Sequence, residues 1–221
     1  LVEVAVAEQV MAYILYFARR VDLQSADMHD HCWNSRLMPG AKNHTIGLVG
    51  FGGIGTEVAK RAVPFGMKVI YFCRHPNPAD DAAYGVQSVS MEELLKESDY
   101  VVAAVPLTDQ TFHLFNEERI AQMKAGSVLI NIARGPVVDE EALAQALASG
   151  HLGGCAVDVF PKEPCTNSVL TRYANALLTP HSATSTAENS KATNFAAANN
   201  LVNYLKKDID AKYVVVQGTR Y

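Results

Sequence analysis

The sequence predicts an α/β fold built on a doubly wound parallel sheet, and two observations lead to that prediction. Short, almost continuously apolar runs alternate with helical patterns from Thr45 onward. A strand that is apolar on both faces must be covered on both faces, which is typical of a parallel sheet between two helical layers. In this fold class ligands bind beyond the carboxyl ends of the strands, so the residues that follow each strand are the first candidates for a site.

The first element is a helix that begins at the start of the chain. Its apolar run, Val10–Ala18, is shorter than the roughly 20 residues that a membrane span needs. Glu3 and Glu8 precede the run, and no Lys or Arg stands before it as a signal peptide would require. A helix that is apolar on nearly all sides is buried in a core or against another subunit. We therefore expect this helix to be buried, either in the core of its own chain or against another subunit.

The later elements follow in order, after a polar, turn-rich connection between Arg20 and Lys42. The predicted strands are Thr45–Gly50, Met67–Phe72, Asp99–Val105, Ser127–Ile132, Gly154–Val159 and Ala176–Thr179. The predicted helices are Gly55–Phe65 with Pro64 closing it, one that starts at the capping box Ser90-Met91-Glu92-Glu93, one capped by Asn116 that runs through Met123, Asp139–Ser149 ended by Gly150, and Thr184–Lys207.

Composition excludes several classes of protein. Of the 221 residues, 49% are hydrophobic and 19% are charged, with a net charge of −4, so disordered, collagen-like and coiled-coil chains are excluded. No basic run suggests nucleic acid or an anionic membrane as a partner. The four cysteines have no CxxC spacing and predict free thiols in a cytoplasmic protein. The cluster His29-Asp30-His31-Cys32 lacks a second group of ligands, so we predict no metal site.

A glycine motif follows the first predicted strand. Gly50-Phe51-Gly52-Gly53-Ile54-Gly55 is G-x-G-x-x-G, and it opens a predicted helix, as the motif requires. Gly50 permits the tight turn, Gly52 lets the backbone approach a pyrophosphate, and Gly55 lets helix and strand pack closely. The helix N-terminus presents free N–H groups to the phosphates. The motif predicts a Rossmann-type dinucleotide-binding domain, and the alternative is a glycine-rich turn kept for packing.

Four polar residues lie at or just after the ends of later strands. Arg134, Asp158, Glu163 and His181 all fall where the fold places its crevice. Each of Arg134, Glu163 and His181 alone has a plainer interpretation, as a surface charge or a hydrogen-bonded core histidine. Together, a guanidinium, a carboxylate and an imidazole could bind and reduce a 2-oxo acid.

These motifs resemble the D-isomer-specific 2-hydroxyacid dehydrogenases over nearly the whole chain. The matching stretches are Thr45–Gly55, Val105-Pro106-Leu107-Thr108 with Thr111, Met123-Lys124, Asn131–Asp139, Gly154–Pro164 and Pro180–Thr184. The resemblance implies a homodimeric oxidoreductase that transfers a hydride between a nicotinamide cofactor and a 2-oxo or D-2-hydroxy acid, as glyoxylate and hydroxypyruvate reductases do. The alternative is a nucleotide-binding fragment or sensor module without turnover.

The resemblance also implies the roles of single residues. Arg134 would hold the substrate carboxylate and carbonyl with its bidentate fork. His181 would be the acid in reduction and the base in oxidation, hydrogen-bonded to Glu163. Formate dehydrogenases of this fold carry a glutamine there, so Glu163 favours a hydroxyacid substrate. Asp158 would bind the nicotinamide carboxamide. The other implied cofactor-binding residues are Gly50, Gly52, Gly53, Ile54, Gly55, Cys73, Arg74, His75, Val105, Pro106, Thr111, Ile132, Ala133, Ser182 and Ala183.

The choice of cofactor depends on the residues after the second strand. NAD-binding domains place an acidic residue there to bind the ribose 2′-hydroxyl, and in this sequence that position is Cys73. Asp80 and Asp81 lie too far along the chain to replace it. Arg74 can form charge-assisted bonds to a 2′-phosphate, and His75 could add a donor. We therefore predict NADP, with NAD as the alternative if Arg74 only stacks on adenine.

The resemblance divides the chain into three parts. Residues 1–20 would form the linking and dimerisation helix, residues 21–207 the dinucleotide-binding domain, and residues 208–221 a segment that returns toward the family's substrate domain. The stretch that forms most of that second domain in the family is expected to be missing. We therefore expect cofactor binding to be retained and turnover of oxo acids to be weak or absent.

Overall fold

The structure, a computed structural model, describes residues 2–206. Its centre is one seven-stranded sheet of order β3-β2-β1-β4-β5-β6-β7, in which every pair of neighbouring strands is parallel. The strand order reverses between β1 and β4, and this switch point opens the crevice where such sheets bind ligands. The strands are β1 Thr45–Val49, β2 Lys68–Phe72, β3 Gln87–Ser88, β4 Tyr100–Ala103, β5 Val128–Asn131, β6 Gly154–Val157 and β7 Ala176–Leu178.

The helices flank this sheet, and several begin at the residues that the sequence indicated. Ser90 accepts a hydrogen bond from the backbone N–H of Glu93 at 3.1 Å, and Asn116 caps its helix through Arg119 N at 3.0 Å. The helices are α1 Val2–Arg19, α2 Val21–His29, α3 Gly53–Ala62, α4 Pro78–Tyr84, α5 Met91–Glu97, α6 Glu117–Ala121, α7 Glu140–Ala148 and α8 Ala187–Leu205.

The core is divided by the sheet into two halves, which explains the continuous apolar strands. Alternate residues of one strand point to opposite sides. On β1, Leu48 packs in the cluster that includes residues of α1 and α3, while Val49 packs in the cluster with α5, α6 and α7. Both residues are fully buried. The doubly wound Rossmann-type fold is therefore confirmed.

Three elements were not predicted, because they bury little or no apolar surface. The connection from Arg20 to Lys42 was expected to lack regular structure, but it begins with α2, which has no buried residue and no side-chain cap. The region of Asp80 and Asp81 forms α4, capped by Asn77 and also without a buried residue. Strand β3 has two residues and pairs only with β2. Hydrophobic periodicity does not reveal such elements.

Helix α1 packs extensively against the core of its own chain. Its buried residues are Ala5, Val6, Ala7, Val10, Met11, Tyr13, Ile14 and Ala18. They join the core cluster that includes α3 and β1. Much of the apolar surface predicted to need a partner is thus covered within the chain, and the homodimer stays a prediction. The predicted C-terminal segment 208–221 lies outside the described residues. Across residues 2–206, no helix combines the length and hydropathy that crossing a membrane would require.

Candidate active site

The glycine motif forms the turn between β1 and α3. Gly50 has a φ of +103°, and a Cβ there would lie 2.3 Å from the carbonyl oxygen of Ala104. A side chain is excluded at this turn by both space and conformation. Gly52 differs, because a Cβ there would meet nothing within 4 Å. The open space over Gly52, beside the first N–H groups of α3, suits a phosphate group of a bound dinucleotide.

Two neighbouring cavities lie along the carboxyl edge of the sheet and share Ala104, Val105 and Pro106. The first has a volume of about 450 Å³ and is lined, among the predicted cofactor residues, by Gly50, Gly52, Cys73, Arg74, Val105, Pro106 and Thr111. The second has a volume of about 480 Å³ and is lined by Ile54, Val105, Pro106, Ile132, Ala133 and Arg134. Most of the predicted cofactor residues are thus brought to one continuous crevice that fits an extended dinucleotide.

Some predicted cofactor residues do not line these cavities. Gly55 packs closely against the turn, where its Cβ would lie 3.0 Å from Gly50 O. Gly53 lies under the side chain of Glu3, and His75 is exposed. The roles assigned to these residues stay predictions.

Among residues 2–206, none of those that line the first cavity is acidic, so the missing acid after β2 is not replaced there. Cys73 is half-buried and Arg74 is exposed, and both line the first cavity. Asp81 accepts a hydrogen bond from Tyr71 Oη at 2.7 Å, so its carboxylate is engaged on the α4 side of β2. Burial, together with this hydrogen bond, raises the pKa of Tyr71 to about 12. A second guanidinium, that of Arg119 on α6, also lines this cavity and was not predicted from the sequence.

Glu163 and His181 form a hydrogen-bonded pair at this edge. Nδ1 of His181 lies 2.7 Å from Oε2 of Glu163, and the backbone N–H of Phe160 donates to Oε1 at 2.9 Å. These hydrogen bonds, the one from His181 first, lower the pKa of Glu163, and the charge of Arg134 adds to the effect. Because the carboxylate is an acceptor, Nδ1 carries the proton that faces it. Nε2 is then the ring nitrogen left to face a substrate.

Arg134 is placed by a tight turn after β5. The buried side chain of Asn131 donates to the carbonyl oxygen of Arg134 at 3.1 Å and accepts from the N–H of Ala133 at 3.1 Å. A Cβ on Gly135 would lie 2.0 Å from the carbonyl carbon of Phe160. The loop that leads to Glu163 can therefore rest directly on the turn that carries Arg134. This contact places the turn of Arg134 beside the loop of Glu163. The guanidinium itself donates from Nη1 to the carbonyl oxygen of Ala133 at 2.7 Å, and its charge reaches Glu163.

Asp158 was predicted to bind the nicotinamide carboxamide, and its surroundings show a further use. It is 1% exposed, and its carboxylate accepts hydrogen bonds from Thr179 Oγ1 at 2.6 Å, Ser182 N at 2.8 Å and Ala183 N at 3.0 Å. The N–H groups of Ser182 and Ala183 are thus directed at Asp158. The cofactor contacts assigned to these three residues stay predictions.

Sequence reasoning missed several residues of this site. Asn131 had a signal, since it is a polar residue at the end of an apolar strand next to Arg134. Thr179 had a weaker one, as the neighbour of Pro180 and His181. Tyr13 and Arg119 had none, because only the folded chain brings Tyr13 to Thr179 and Arg119 to the first cavity.

Comparisons with known proteins agree with this architecture. The family described as "D-isomer specific 2-hydroxyacid dehydrogenase, NAD binding domain" matches residues 11–183. The chain is 38% identical over 219 residues to a glyoxylate reductase of Thermococcus litoralis, covering 95% of this chain and 66% of that protein. The chain spans two thirds or less of the length of such curated relatives.

Two solved structures are also similar. One is a D-lactate dehydrogenase from Aquifex aeolicus in complex with NAD and lactic acid, with a TM-score of 0.86, 30% identity, and coverage of 93% of this chain and 67% of that one. The other is a formate dehydrogenase from Staphylococcus aureus in complex with NAD, with a TM-score of 0.87, 29% identity, and coverage of 98% and 66%. The fold and the crevice define a nicotinamide-dinucleotide-binding protein. The chain belongs to the D-isomer-specific 2-hydroxyacid dehydrogenase family and carries its NAD-binding domain.

Proposed function

We propose that the protein transfers a hydride between a nicotinamide dinucleotide and a 2-oxo or D-2-hydroxy acid. The observation that carries this proposal is the 2.7 Å contact between Glu163 and His181, with Arg134 close enough to influence the carboxylate. An imidazole held by a carboxylate beside a guanidinium suits the reduction of a carbonyl next to a carboxylate. When bound, the reduced nicotinamide supplies the hydride.

The chain's own residues would do three things for this reaction. The fork of Arg134 would bind the substrate carboxylate and polarise the carbonyl. His181 would give the proton on Nε2 to the carbonyl oxygen in reduction and take it back in oxidation. Glu163 would hold Nδ1, so that the ring keeps one orientation through both directions.

The crevice would hold the dinucleotide along the switch point of the sheet. Gly52 and the start of α3 would bind the pyrophosphate, while Val105, Pro106, Ile132 and Ala133 would line the nicotinamide half. We propose further that NADP is preferred, because Cys73 neither accepts a strong hydrogen bond from a ribose hydroxyl nor repels a phosphate. Asp81 is held by Tyr71, which supports this preference. The two similar structures described above contain NAD, so the proposed preference for NADP is argued from the residues of this chain alone.

The test is the oxidation of NADPH and NADH with glyoxylate, hydroxypyruvate, pyruvate and phosphohydroxypyruvate. The 221-residue chain is assayed both as it stands and with a substrate domain of the family restored. We expect His181→Gln to lower kcat by about 10²–10⁴-fold, the usual contribution of a positioned acid, without weakening dinucleotide binding. Dinucleotide binding without turnover of any of the four acids, even with a substrate domain restored, would contradict the proposed reaction and favour a binding module. Near-normal turnover by His181→Gln would contradict the role given to the histidine.

A further inference from the structure

A chain of hydroxyl groups leads from α1 to the loop that carries His181. Tyr13 on α1 is 2% exposed, and its Oη lies 2.5 Å from Oγ1 of Thr179. Thr179 Oγ1 in turn lies 2.6 Å from Oδ1 of Asp158. A carboxylate only accepts hydrogen bonds, so Thr179 donates to Asp158, and Tyr13 must then donate to Thr179. Both hydrogen bonds therefore have a defined direction.

The same aspartate holds the loop on the far side of His181. Its carboxylate accepts from Ser182 N and Ala183 N, and its backbone carbonyl accepts from His181 N at 2.8 Å. His181 has a φ of +51°, in the left-handed region that residues other than glycine seldom adopt. Such a conformation persists only where its surroundings hold it. The bond from Thr179 is one of the contacts that do so.

We propose that Tyr13 and Thr179 are positioning residues for His181, acting through Asp158. Through Thr179, the Tyr13 hydroxyl fixes the carboxylate of Asp158, and the carboxylate fixes the backbone on both sides of the histidine. Glu163 fixes the ring at Nδ1, so the two restraints together set the direction of Nε2. The catalytic consequence rests on the proposed function, whereas the effect on the loop does not.

A purely structural role would have a different signature. Buried hydroxyls need hydrogen-bond partners in any case, and removing one would lower the free energy of unfolding without moving the histidine loop. Thr179→Val removes the hydroxyl at nearly constant shape, and Thr179→Ser keeps it. Tyr13→Phe removes the first donor. Tyr16→Phe is the matched control, since Tyr16 is on the same helix and its ring contacts Phe17 and the Arg20 guanidinium.

The first measurement is NMR on the 221-residue chain, following the backbone N–H signals of His181, Ser182 and Ala183 and the Nδ1–H signal of His181. We expect Thr179→Val to shift these signals, Thr179→Ser to restore them, and Tyr13→Phe to shift them less. The double variant Tyr13→Phe with Thr179→Val should match Thr179→Val, because Tyr13 acts through Thr179. Tyr16→Phe should leave them unchanged. Wild-type signals in Thr179→Val and Tyr13→Phe, with only a lower Tm, would overturn the inference.

The second measurement separates this inference from the proposed function. With NADPH and glyoxylate, we expect Thr179→Val to lower kcat about tenfold and Tyr13→Phe about threefold, as for a lost hydrogen bond to or near a charged group. The KM for NADPH should rise by a smaller factor than kcat falls, since the phosphate and adenosine contacts are elsewhere. A wild type that turns over no oxo acid even with a substrate domain restored, with the NMR shifts present, would refute the proposed function and leave the positioning role supported. Turnover in the wild type, with unchanged NMR signals and kcat in both variants, would refute the positioning role alone.

Discussion

At the crevice, the fold lowers the pKa of Glu163. Its carboxylate accepts from Nδ1 of His181 and from the backbone N–H of Phe160, and both bonds favour the charged form. The pKa of Glu163 therefore lies below its usual value of 4.5. Both side chains are partly exposed, so the pair contributes only a small free energy to stability, because solvent screens the charges.

The lowered pKa of Glu163 gives a pH dependence of defined sign. Its contribution to stability is present above the unfolded value of 4.5 and is lost as the pH falls through the lower folded value. We expect the Tm difference between wild type and Glu163→Gln to be largest near neutral pH and to shrink below about pH 4. Thermal unfolding of both proteins across this range measures it. A difference that grows on acidification would be inconsistent with the lowered pKa.

Cofactor preference is decided by single residues at the end of β2. We expect kcat/KM, or the inverse of Kd, to be higher for NADPH than for NADH in the wild type. Arg74→Ala should weaken the binding of NADPH by about tenfold or more and the binding of NADH much less, because only NADPH carries the 2′-phosphate. Cys73→Asp should favour NADH, since the carboxylate would bind the ribose and repel the phosphate.

Arg119→Ala is the matched control for this preference, because Arg119 lines the same cavity. If Arg119→Ala rather than Arg74→Ala removes the preference, the phosphate is bound by α6. The role assigned to Arg74 would be wrong if the wild type prefers NADH, or if Arg74→Ala weakens the binding of both cofactors equally.

At the scale of elements, the turn between β1 and α3 contains two glycines with different requirements. Gly50 has a positive φ and no room for a side chain, whereas Gly52 faces open space in the folded chain. One glycine is therefore needed for the turn itself, and the other for what binds beside it.

The two glycines should respond differently to the same substitution. Gly50→Ala should destabilise the fold by about 1–3 kcal/mol, because the new methyl group would press on the Ala104 carbonyl. Gly52→Ala should keep the wild-type Tm and raise the Kd for NADPH by about tenfold or more, equivalent to ~1.4 kcal/mol. Thermal unfolding and fluorescence titration measure the two effects. Unchanged NADPH binding by a folded Gly52→Ala protein would mean that the phosphates lie elsewhere.

At the scale of the whole molecule, apolar side chains remain exposed on α2 and the segment that follows it. Trp33 is 88% exposed and Leu37 is 100% exposed, while Val21 and Met28 on α2 are 61% and 53% exposed. Large apolar side chains exposed along one segment are candidates for an interaction surface. The predicted homodimer would therefore use this surface, in addition to whatever apolar surface α1 leaves uncovered.

The single tryptophan makes this prediction directly measurable. We expect a dimer by light scattering at tens of micromolar protein, with an interface of about 2,000 Å² or more. Trp33 emission should shift to the red on dilution, as the ring returns to water. Leu37→Glu should weaken the dimer, and Leu201→Glu on exposed α8 is the control. A monomer at these concentrations would refute the dimer, and dissociation by Leu201→Glu alone would move the interface to α8.

The fold was predictable from the sequence wherever an element buries apolar residues. Strands β1, β2, β4, β5 and β6 are covered on both sides, and such runs leave a strong pattern. Helices α5, α6 and α7 have side-chain caps at their first turns, which are local signals. Helices α2 and α4 have no buried residue, so hydrophobic periodicity does not distinguish them from a loop. The one local signal is at α4, where the cap Asn77 is followed by Pro78.

The site divides in the same way. The chain alone determined the dinucleotide motif and the polar residues that end parallel strands, because strand ends of one sheet must meet at one edge. Only the tertiary structure decided which side chains form hydrogen bonds with each other. Glu163 bonds to His181, Asp81 to Tyr71, and the hydroxyl of Tyr13 to Thr179. Tyr13 and Thr179 are 166 positions apart along the chain. Local sequence does not encode such a contact, since it forms only when α1 packs against the sheet beside the end of β7.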